Sequence, residues 1–429
     1  MKELFRDLIV RLVTLEARAV LRKYQPKVIL VTGSVGKTSA KDALFSILSP
    51  QHFVRKSQKS FNSDIGAPLT ILGIPNGWAN PIRWLRNLVE GAMLVLLRAP
   101  YPEWLVIEVG ADRPGDITRS LSWIRPRVVV ATRFPTVPVH VEFYDSPEAV
   151  QGEELSPLWW LKPGGVAVVN ADDDVVSVAE LPEGVERISF GFSAGATVRA
   201  QRVKTLTERK LPRGVSCDVV YGSERAHVSL IGVVGLGHVY AALAGIAGSL
   251  AIGVPLATAC AALENHEAPP GRMRLIPGLR GSIIIDDTYN ASPVAVEEAL
   301  ATLRHIPNYG RRIAVLGDML ELGAYSVSEH QKAGALAAQS TDLLITVGVR
   351  ARKIAEAAVE KGMLQDSIFQ FDRALDAAEH LKSVVGAGDV LLVKGSQGMR
   401  LERTVRELMS SPERATKLLC RQDKEWMVR

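Results

Sequence analysis

Short runs of β-branched and apolar residues alternate with helical stretches along most of this chain. They fall into two series, one at residues 28–31, 104–108, 128–131 and 166–169 and the other at 283–285, 313–316, 343–347 and 390–393. Because such alternation joins parallel strands through crossover helices, each series predicts a mainly parallel sheet flanked by helices. The expected fold class is therefore α/β.

The segment between the two series has a different pattern. Residues 198–203, 215–221 and 226–230 are more polar and alternate in character, which predicts antiparallel strands within the first domain. Turns at residues 269–271 and 277–278 place a boundary near 270–280. We therefore predict an N-terminal helix over residues 1–25, a central domain over 26–272 and a C-terminal α/β domain over 273–429.

The first helix is predicted to be amphipathic over residues 2–23, because its apolar residues recur at three- and four-residue spacing. Packing against the central domain is the favoured interpretation. Peripheral docking on a membrane surface is the alternative, because Arg and Lys flank the apolar face and residues 84–97 have a similar character. Charges recur throughout the first 24 residues and leave no apolar core, so we do not expect a signal peptide there.

The charge and the cysteine content limit the binding partners and the cellular compartment that we expect for the protein. Lys and Arg number 51 against 46 Asp and Glu, and no long basic run interleaves with aromatics, so nucleic acid is not an expected partner. The three cysteines, Cys217, Cys260 and Cys420, are too few and too scattered for a disulfide framework. We expect a cytoplasmic protein.

The strongest local signal is the segment at residues 31–39, Val-Thr-Gly-Ser-Val-Gly-Lys-Thr-Ser, which follows a predicted strand and opens a predicted helix. Glycines let backbone N–H groups approach phosphate oxygens, Lys37 can reach the β- and γ-phosphates, and Thr38 can ligate magnesium. The P-loop spacing is not fully met, because its first glycine would fall at Val31. A glycine-rich turn without a ligand is the alternative.

Two further residues follow predicted strands of the same sheet. Glu108 ends a strand of four apolar residues, and His140 lies in a loop after the next one. Open α/β sheets gather ligands at the carboxyl ends of their strands, so a metal ligand is one interpretation of each. Taken alone each is more often structural, and the functional case depends on their joint placement with Lys37.

The order and spacing of these motifs resemble the Mur ligases from about residue 33 to residue 402. The matching segments include TGSVGKT (32–38), NSDIGAPLT (62–70), EVGA (108–111), HVEF (140–143), NADD (170–173), HVYAALA (238–244), PGR (270–272), DDTYNASP (286–293), LGDMLELG (316–323) and KGS (394–396). The segments DDTYNASP and LGDMLELG favour the ligases that add D-alanyl-D-alanine. The resemblance implies a central P-loop-type ATPase domain and a Rossmann-like C-terminal domain.

The resemblance also implies the chemistry. A carboxylate is activated by ATP as an acyl phosphate and attacked by an amine, giving an amide, ADP and phosphate, in the synthesis of peptidoglycan precursors. The implied cofactors are ATP and Mg²⁺, and the implied partners are a UDP-muramoyl-peptide and a D-Ala-D-Ala-like dipeptide. Two alternatives stay open: a different carboxylate acceptor, or an ATP-binding scaffold without turnover.

The resemblance also implies a role for each residue from its position within the motifs. The resemblance assigns the phosphates to Gly33, Ser34, Gly36, Lys37, Thr38 and Ser39. It implies that Thr38 holds a first magnesium, and Glu108 and His140 a second. The adenine would be bordered by His238, Tyr289 and Asn290, the ribose by Asp287, and the ribose or phosphates by Arg272, whose alternative is a boundary ion pair.

Two segments match substrate loops of the family. Asn62 and Ser63 match the loop that contacts the nucleotide-sugar acceptor. Met319, Glu321 and Leu322 match the segment near the incoming dipeptide, and their alternative is a simple loop after a strand.

The sequence departs from the family in two places. The family carries a carbamylated lysine about a dozen residues after the histidine, and residues 145–161 contain no lysine. Ungapped alignment places Glu154 there and a shifted register places Gln151, so we expect Glu154, or neighbouring Glu153, to supply the negative charge directly. Only about 26 residues precede the phosphate-loop strand, so we also expect the family's N-terminal uridine-binding domain of about 80 residues to be missing.

Overall fold

The phosphate-loop strand lies inside the first of two sheets. The computed structural model describes residues 2–58, 65–308, 310–423 and 426, and there the first sheet contains β1 (Lys27–Thr32), β2 (Val54–Lys56), β3 (Trp104–Glu108), β4 (Val128–Ala131), β5 (Val166–Asn170), β6 (Glu186–Gly191), β7 (Val198–Glu208), β8 (Leu211–Tyr221) and β9 (Glu224–Ile231). The strand order is β2-β3-β1-β4-β5-β6-β7-β8-β9. Neighbours from β2 to β7 are parallel, and β7, β8 and β9 are antiparallel, which confirms both predicted patterns.

The second sheet carries the second series of runs. Its strands are β10 (Arg274–Pro277), β11 (Ile283–Asp287), β12 (Arg312–Gly317), β13 (Leu343–Val347), β14 (Ile368–Phe371) and β15 (Val390–Lys394). The order is β10-β11-β15-β12-β13-β14, and neighbours are parallel except for β10 with β11. β13 and β15 are buried along their whole length, as expected for strands covered on both faces.

Helices cover both faces of each sheet. They are α1 (Lys2–Tyr24), α2 (Lys37–Leu48), α3 (Gly66–Leu72), α4 (Pro81–Leu96), α5 (Asp116–Leu121), α6 (Pro147–Leu155), α7 (Leu236–Leu250), α8 (Leu256–Ala262), α9 (Pro293–His305), α10 (Ser326–Ser340), α11 (Arg352–Glu360), α12 (Ala374–Val384), α13 (Glu402–Leu408) and α14 (Ala415–Leu418). On the first sheet, α2 and α7 pack on one face and α1 and α3 on the other. Across the residues described, no helix is both long and apolar enough to cross a bilayer.

The first helix packs onto the protein along one side. Ile9, Val13, Ala17 and Val20 of α1 are buried in the core that lies beneath the first sheet. This arrangement is the one that the packing interpretation predicts, and it buries a single stripe of the helix.

The topology also fixes where the site lies. β1 lies between β3 and β4 in the sheet. The chain after β1 therefore continues to strands on one side of it, and the chain after β3 continues to strands on the other side. A crevice opens at the carboxyl ends of the strands at such a switch point. The phosphate loop, Glu108 and the loop that carries His140 all follow these three strands.

Candidate active site

The phosphate loop runs between the end of β1 and the start of α2. Gly33 and Gly36 have φ values of +123° and +89°, in the region that favours glycine. A Cβ at Gly33 would lie 2.3 Å from the Thr132 hydroxyl oxygen, which itself donates to the carbonyl of Val35 at 2.7 Å. The loop is therefore held in one shape, and it presents the first N–H groups of α2, which have no acceptor within the helix.

Lys37 opens α2 and points back over the loop. Its amino group donates to the carbonyl of Gly33 and lies 3.5 Å from the Glu154 carboxylate. The side chain is 13% exposed, so its charge is close to solvent and to the crevice. This position suits contact with the outer phosphates of a bound nucleotide.

Thr38 and Glu108 form a buried polar pair next to Lys37. The Thr38 hydroxyl donates to Glu108 Oε1 at 3.0 Å, and Lys41 Nζ lies 3.1 Å from Glu108 Oε2. Lys41 and Glu108 are 1% and 2% exposed. Lys41 was not predicted as a site residue. It lies four residues after Lys37, on the buried side of α2, and this position was a usable signal because a buried lysine requires an anion.

His140 joins the central domain to the C-terminal domain. It adopts a left-handed conformation with φ of +66°, and its Nδ1 lies 2.5 Å from Glu321 Oε2. Its Nε2 lies 3.5 Å from Asp112 Oδ1. The contact with His140 holds the pKa of Glu321 below its usual range. Glu321 is thus at the interdomain crevice, and Asp112 is a second carboxylate there that the sequence had not indicated.

The structure distinguishes Glu154 from Glu153 and Gln151, the two other candidates for the position of the family's lysine. Glu154 is buried, and its carboxylate accepts from the Ser34 hydroxyl and faces Lys37. The neighbouring Glu153 instead accepts from the backbone N–H groups of Gly115 and Ile117, at 3.1 and 2.9 Å, around the start of α5. Gln151 donates to a backbone carbonyl of the loop after β4. Glu154 alone of the three contacts the phosphate loop, and its burial argues against a surface role.

Two adjoining cavities open from the phosphate loop. The first, of about 530 Å³, is largely apolar and is lined by the predicted nucleotide residues Ser34, Gly36, Ser39, His238, Arg272, Asp287 and Asn290 together with apolar side chains of α9. Burial lowers the pKa of His238, which keeps its ring neutral, and Nε2 lies 2.7 Å from the Arg272 carbonyl oxygen. An apolar cavity edged by a neutral imidazole suits a flat, uncharged ring such as adenine.

The second cavity, of about 660 Å³, is polar and holds the charged groups. Its walls include Gly36, Lys37, Thr38, Glu108, His140, Arg272, Tyr289, Asn290 and Glu321. Tyr289 was expected beside the adenine with His238, but it lines this second cavity and stacks under Arg272, whose guanidinium carbon lies 4.1 Å from the ring centre. Arg272 also reaches the Thr38 hydroxyl at 3.5 Å, so it is no simple boundary ion pair.

Asp287 lines the apolar cavity, but both its carboxylate oxygens already have partners. The backbone N–H of Met273 donates to Oδ1 at 3.1 Å, and Lys394 Nζ donates to Oδ2 at 2.6 Å. Lys394, at the end of β15, is 2% exposed. Lys394 begins the KGS motif, for which the sequence indicated no role. In the structure it is the cation that holds Asp287.

Three of the predicted substrate residues lie on the C-terminal domain, and only Glu321 faces a cavity. Met319 and Leu322 are each 1% exposed and belong to the core formed with α9 and α10. Their apolar side chains are core residues, which corrects the expectation that they contact a dipeptide. The predicted acceptor residues Asn62 and Ser63 lie outside the described residues.

The donor set gives a partial fit to magnesium. Thr38 and Glu108 present two oxygens 3.0 Å apart beside the phosphate loop, and Mg²⁺ commonly takes one or two protein oxygens with phosphate and water. His140 fits less well, because magnesium prefers oxygen ligands and this ring is held between two carboxylates. Within the described part of the chain, no three His, Cys, Asp or Glu side chains converge on a metal position.

Two family models match the chain. The model for the Mur ligase middle domain matches residues 89–248, and the model for the Mur ligase glutamate ligase domain matches residues 271–397. Similar characterised proteins include the UDP-N-acetylmuramoyl-tripeptide–D-alanyl-D-alanine ligases of Bacillus subtilis and Escherichia coli. Each is 28% identical over 92% of this chain, and the match covers 79% and 80% of their lengths.

Solved structures agree with this arrangement. MurF from Acinetobacter baumannii superposes with a TM-score of 0.75 at 26% identity, covering 92% of this chain and 79% of that one. MurF from Thermotoga maritima in complex with ADP gives a TM-score of 0.75 at 24% identity, covering 95% and 84%, and supports the fold.

Proposed function

Because this chain belongs to the Mur ligase family, we propose that it is an ATP-dependent amide ligase that joins D-alanyl-D-alanine to a UDP-N-acetylmuramoyl-tripeptide. The two family models together cover about two thirds of the chain. The similar proteins named for this reaction align along nearly all of it. Since the proposed reaction consumes ATP and a nucleotide-linked acceptor, we place it in the cytoplasm.

The observation that carries the proposal is the pair of adjoining cavities between the two domains. One is apolar and bordered by the neutral His238, and the other gathers Lys37, Thr38, Glu108 and His140 opposite Glu321. A nucleotide that placed its base in the first cavity would direct its phosphates past the loop into the second. The reacting carboxylate and amine would then meet the terminal phosphate among charged groups from both domains.

The proposed chemistry has two steps. A carboxylate oxygen of the acceptor attacks the γ-phosphorus of ATP, the bond from that phosphorus to ADP breaks, and an acyl phosphate forms. The amine of the dipeptide then attacks the acyl carbon, phosphate leaves, and the nitrogen loses a proton as the amide forms. Such reactions depend on positioning and on neutralising charge rather than on a covalent enzyme intermediate.

The residues of the chain supply that positioning. Lys37 and the first turn of α2 bind the phosphates, while Arg272, fixed on Tyr289, places a second positive charge beside Thr38. Magnesium held at Thr38 and Glu108 would neutralise phosphate charge. His140, braced between Glu321 and Asp112, stands where the acceptor carboxylate must enter. It can orient that carboxylate or accept the proton of the amine.

We propose further that Glu154 supplies the negative charge which a carbamylated lysine gives other members of the family. Its carboxylate, like a carbamate, is a planar anion with two oxygens, and it is buried against Ser34 and Lys37. Glu154→Gln keeps the shape and removes the charge, so phosphate release is expected to fall at least tenfold. Glu153→Gln is the matched control, because Glu153 serves the start of α5 and its loss should leave kcat unchanged.

Substrate-dependent phosphate release tests the function as a whole. The full chain is incubated with ATP and magnesium, with both substrates or with either one alone. The proposal predicts rapid release only with UDP-N-acetylmuramoyl-tripeptide and D-alanyl-D-alanine together, and a product heavier by the dipeptide minus water. Tight ATP binding without release under any of these conditions would contradict it.

A further inference from the structure

One helix of the central domain faces solvent with its apolar side. On α4 five large apolar side chains recur at three- and four-residue spacing and are between 52% and 80% exposed: Ile82, Leu85, Val89, Met93 and Leu96. That spacing places them on a single face along the whole helix. Contiguous apolar faces of this kind are rare on proteins that work alone in water and mark interaction surfaces.

The opposite face of α4 is anchored by specific contacts. Trp84 Nε1 donates to the carbonyl of Trp78 at 2.9 Å, and Asn87 Nδ2 donates to the carbonyl of Pro75 at 2.8 Å. Gly91 admits the Glu16 carboxylate, because a Cβ there would lie 2.1 Å from Glu16 Oε2. A helix fixed by these groups has no freedom to rotate its apolar residues into the core.

The neighbouring helix extends the surface. Lys23 of α1 donates to the carbonyls of Leu94 and Val95 at 3.0 and 2.9 Å, which ties the end of α1 to the end of α4. Three leucines of α1 are also exposed, at 53%, 37% and 61%: Leu8, Leu12 and Leu15. At 3.6 residues per turn, Leu12, Leu8 and Leu15 lie about 20°, 60° and 80° from Lys23 around the helix, all on one side of it. The three leucines therefore lie beside the side of α1 that meets α4.

The excess positive charge of the protein is concentrated in the same two helices and in Arg98, which follows α4. Residues 6–24 and 81–98 contain eight Lys or Arg and three Asp or Glu, a net charge of +5. The whole chain also has a net charge of +5, so the remaining residues are neutral in sum. Arg11, Arg22, Arg86 and Arg98 are among the exposed basic residues. An apolar face beside this excess of positive charge complements one kind of partner, an apolar surface that carries negative charge.

We propose that α1 and α4 dock this protein on the surface of a membrane that contains anionic lipid. The apolar ridge of α4, about 21 Å long, lies in the plane of the interface and enters the acyl boundary, while the arginines reach the headgroups. A second copy of the chain is a poorer occupant, because it would bring its own +5 against this face. Docking concerns where the protein resides, and it is independent of the proposed ligase reaction.

Vesicle flotation of the full chain tests the proposal. The vesicles contain a zwitterionic lipid alone, or the same lipid with one third replaced by an anionic one. The protein is expected to float with the anionic vesicles at low salt and to be released at high salt, because screening weakens the arginine contacts. The double variant Leu85→Glu with Met93→Glu should bind at least tenfold more weakly, and Arg11→Gln with Arg98→Gln should lose most of the preference for anionic lipid.

The matched control replaces two equally exposed apolar residues elsewhere. Val178 and Leu364 are 75% and 74% exposed and lie outside both helices, so Val178→Glu with Leu364→Glu should float like the unaltered protein. Circular dichroism of each variant separates loss of docking from loss of folding. The proposal is overturned if the protein does not float with anionic vesicles, or if folded α4 variants float undiminished. It is also overturned if light scattering shows an oligomer that the α4 variants dissociate.

Discussion

Replacing Lys41 by methionine is expected to destabilise the central domain by about 3 kcal/mol, because one partner of a buried ion pair is removed. Lys41 and Glu108 are 1% and 2% exposed, and their charged groups lie 3.1 Å apart. Methionine fills similar space but leaves the carboxylate without that cation. The general cost of such a change is about 3–5 kcal/mol, and the Thr38 hydroxyl, which still donates to Glu108, favours the lower value.

Thermal unfolding followed by circular dichroism measures this cost. For a domain of this size each kcal/mol lowers Tm by about 2–4 °C, so Lys41→Met should lower the central-domain transition by about 6–12 °C. The double variant with Glu108→Gln removes both charges and should regain at least half of that loss, because no buried charge is then left without its partner.

Two results would contradict a strongly coupled Lys41–Glu108 pair. One is a Lys41→Met protein that unfolds within about 2 °C of the unaltered chain, which would mean less than about 1 kcal/mol for the pair. The other is a double variant whose loss equals the sum of the two single losses, since independent sites add and coupled ones do not.

Contacts at Glu16, Gly33 and Arg272 each predict a measurable effect. Burial against α4 raises the pKa of Glu16 to about 7, so the folded state keeps a proton that the unfolded chain loses near pH 4.5, and stability falls as pH rises between these values. Glu16→Gln should remove that slope and raise stability at pH 8 by about 1–2 kcal/mol, measured by thermal unfolding across pH 5–8; an unchanged slope would contradict it. Gly33→Ala should weaken ATP binding at least tenfold in calorimetry, because its Cβ would meet the Thr132 hydroxyl at 2.3 Å, and normal affinity would show that the loop yields. Arg272→Lys should raise the KM for ATP several-fold, because an ammonium loses the planar stacking on Tyr289, whereas an unchanged KM would place Arg272 outside the nucleotide site.

Alternating patterns were enough to predict most of both sheets. The runs at β1, β3, β4 and β5 are continuous and buried, and such strands carry a strong sequence signal. β2 has three residues and β14 has no fully buried residue, so neither shows a clear pattern. β2 and β14 are edge strands that form by pairing with a neighbouring strand of the sheet. This pairing depends on residues distant in the chain, so the local sequence does not indicate it.

The site was predictable where its residues follow strands in order, and less so where domains meet. Lys37, Thr38 and Glu108 share a cavity because the carboxyl ends of β1 and β3 are adjacent. The contact of His140 with Glu321 depends on how one domain lies against the other, and no spacing in the sequence encodes it. Met319 was assigned by its motif to substrate binding, whereas its apolar character indicated the core that it occupies.

The acyl phosphate route is tested most directly with an acceptor whose reacting carboxylate carries oxygen-18 at both of its oxygens. If that carboxylate attacks the γ-phosphorus of ATP, one labelled oxygen leaves with the phosphate when the amide forms. We expect one oxygen-18 atom in each phosphate released during ligation of UDP-N-acetylmuramoyl-tripeptide with D-alanyl-D-alanine, read by mass spectrometry. Amide formation with unlabelled phosphate would contradict the acyl phosphate route, and the absence of any amide would contradict the proposed function.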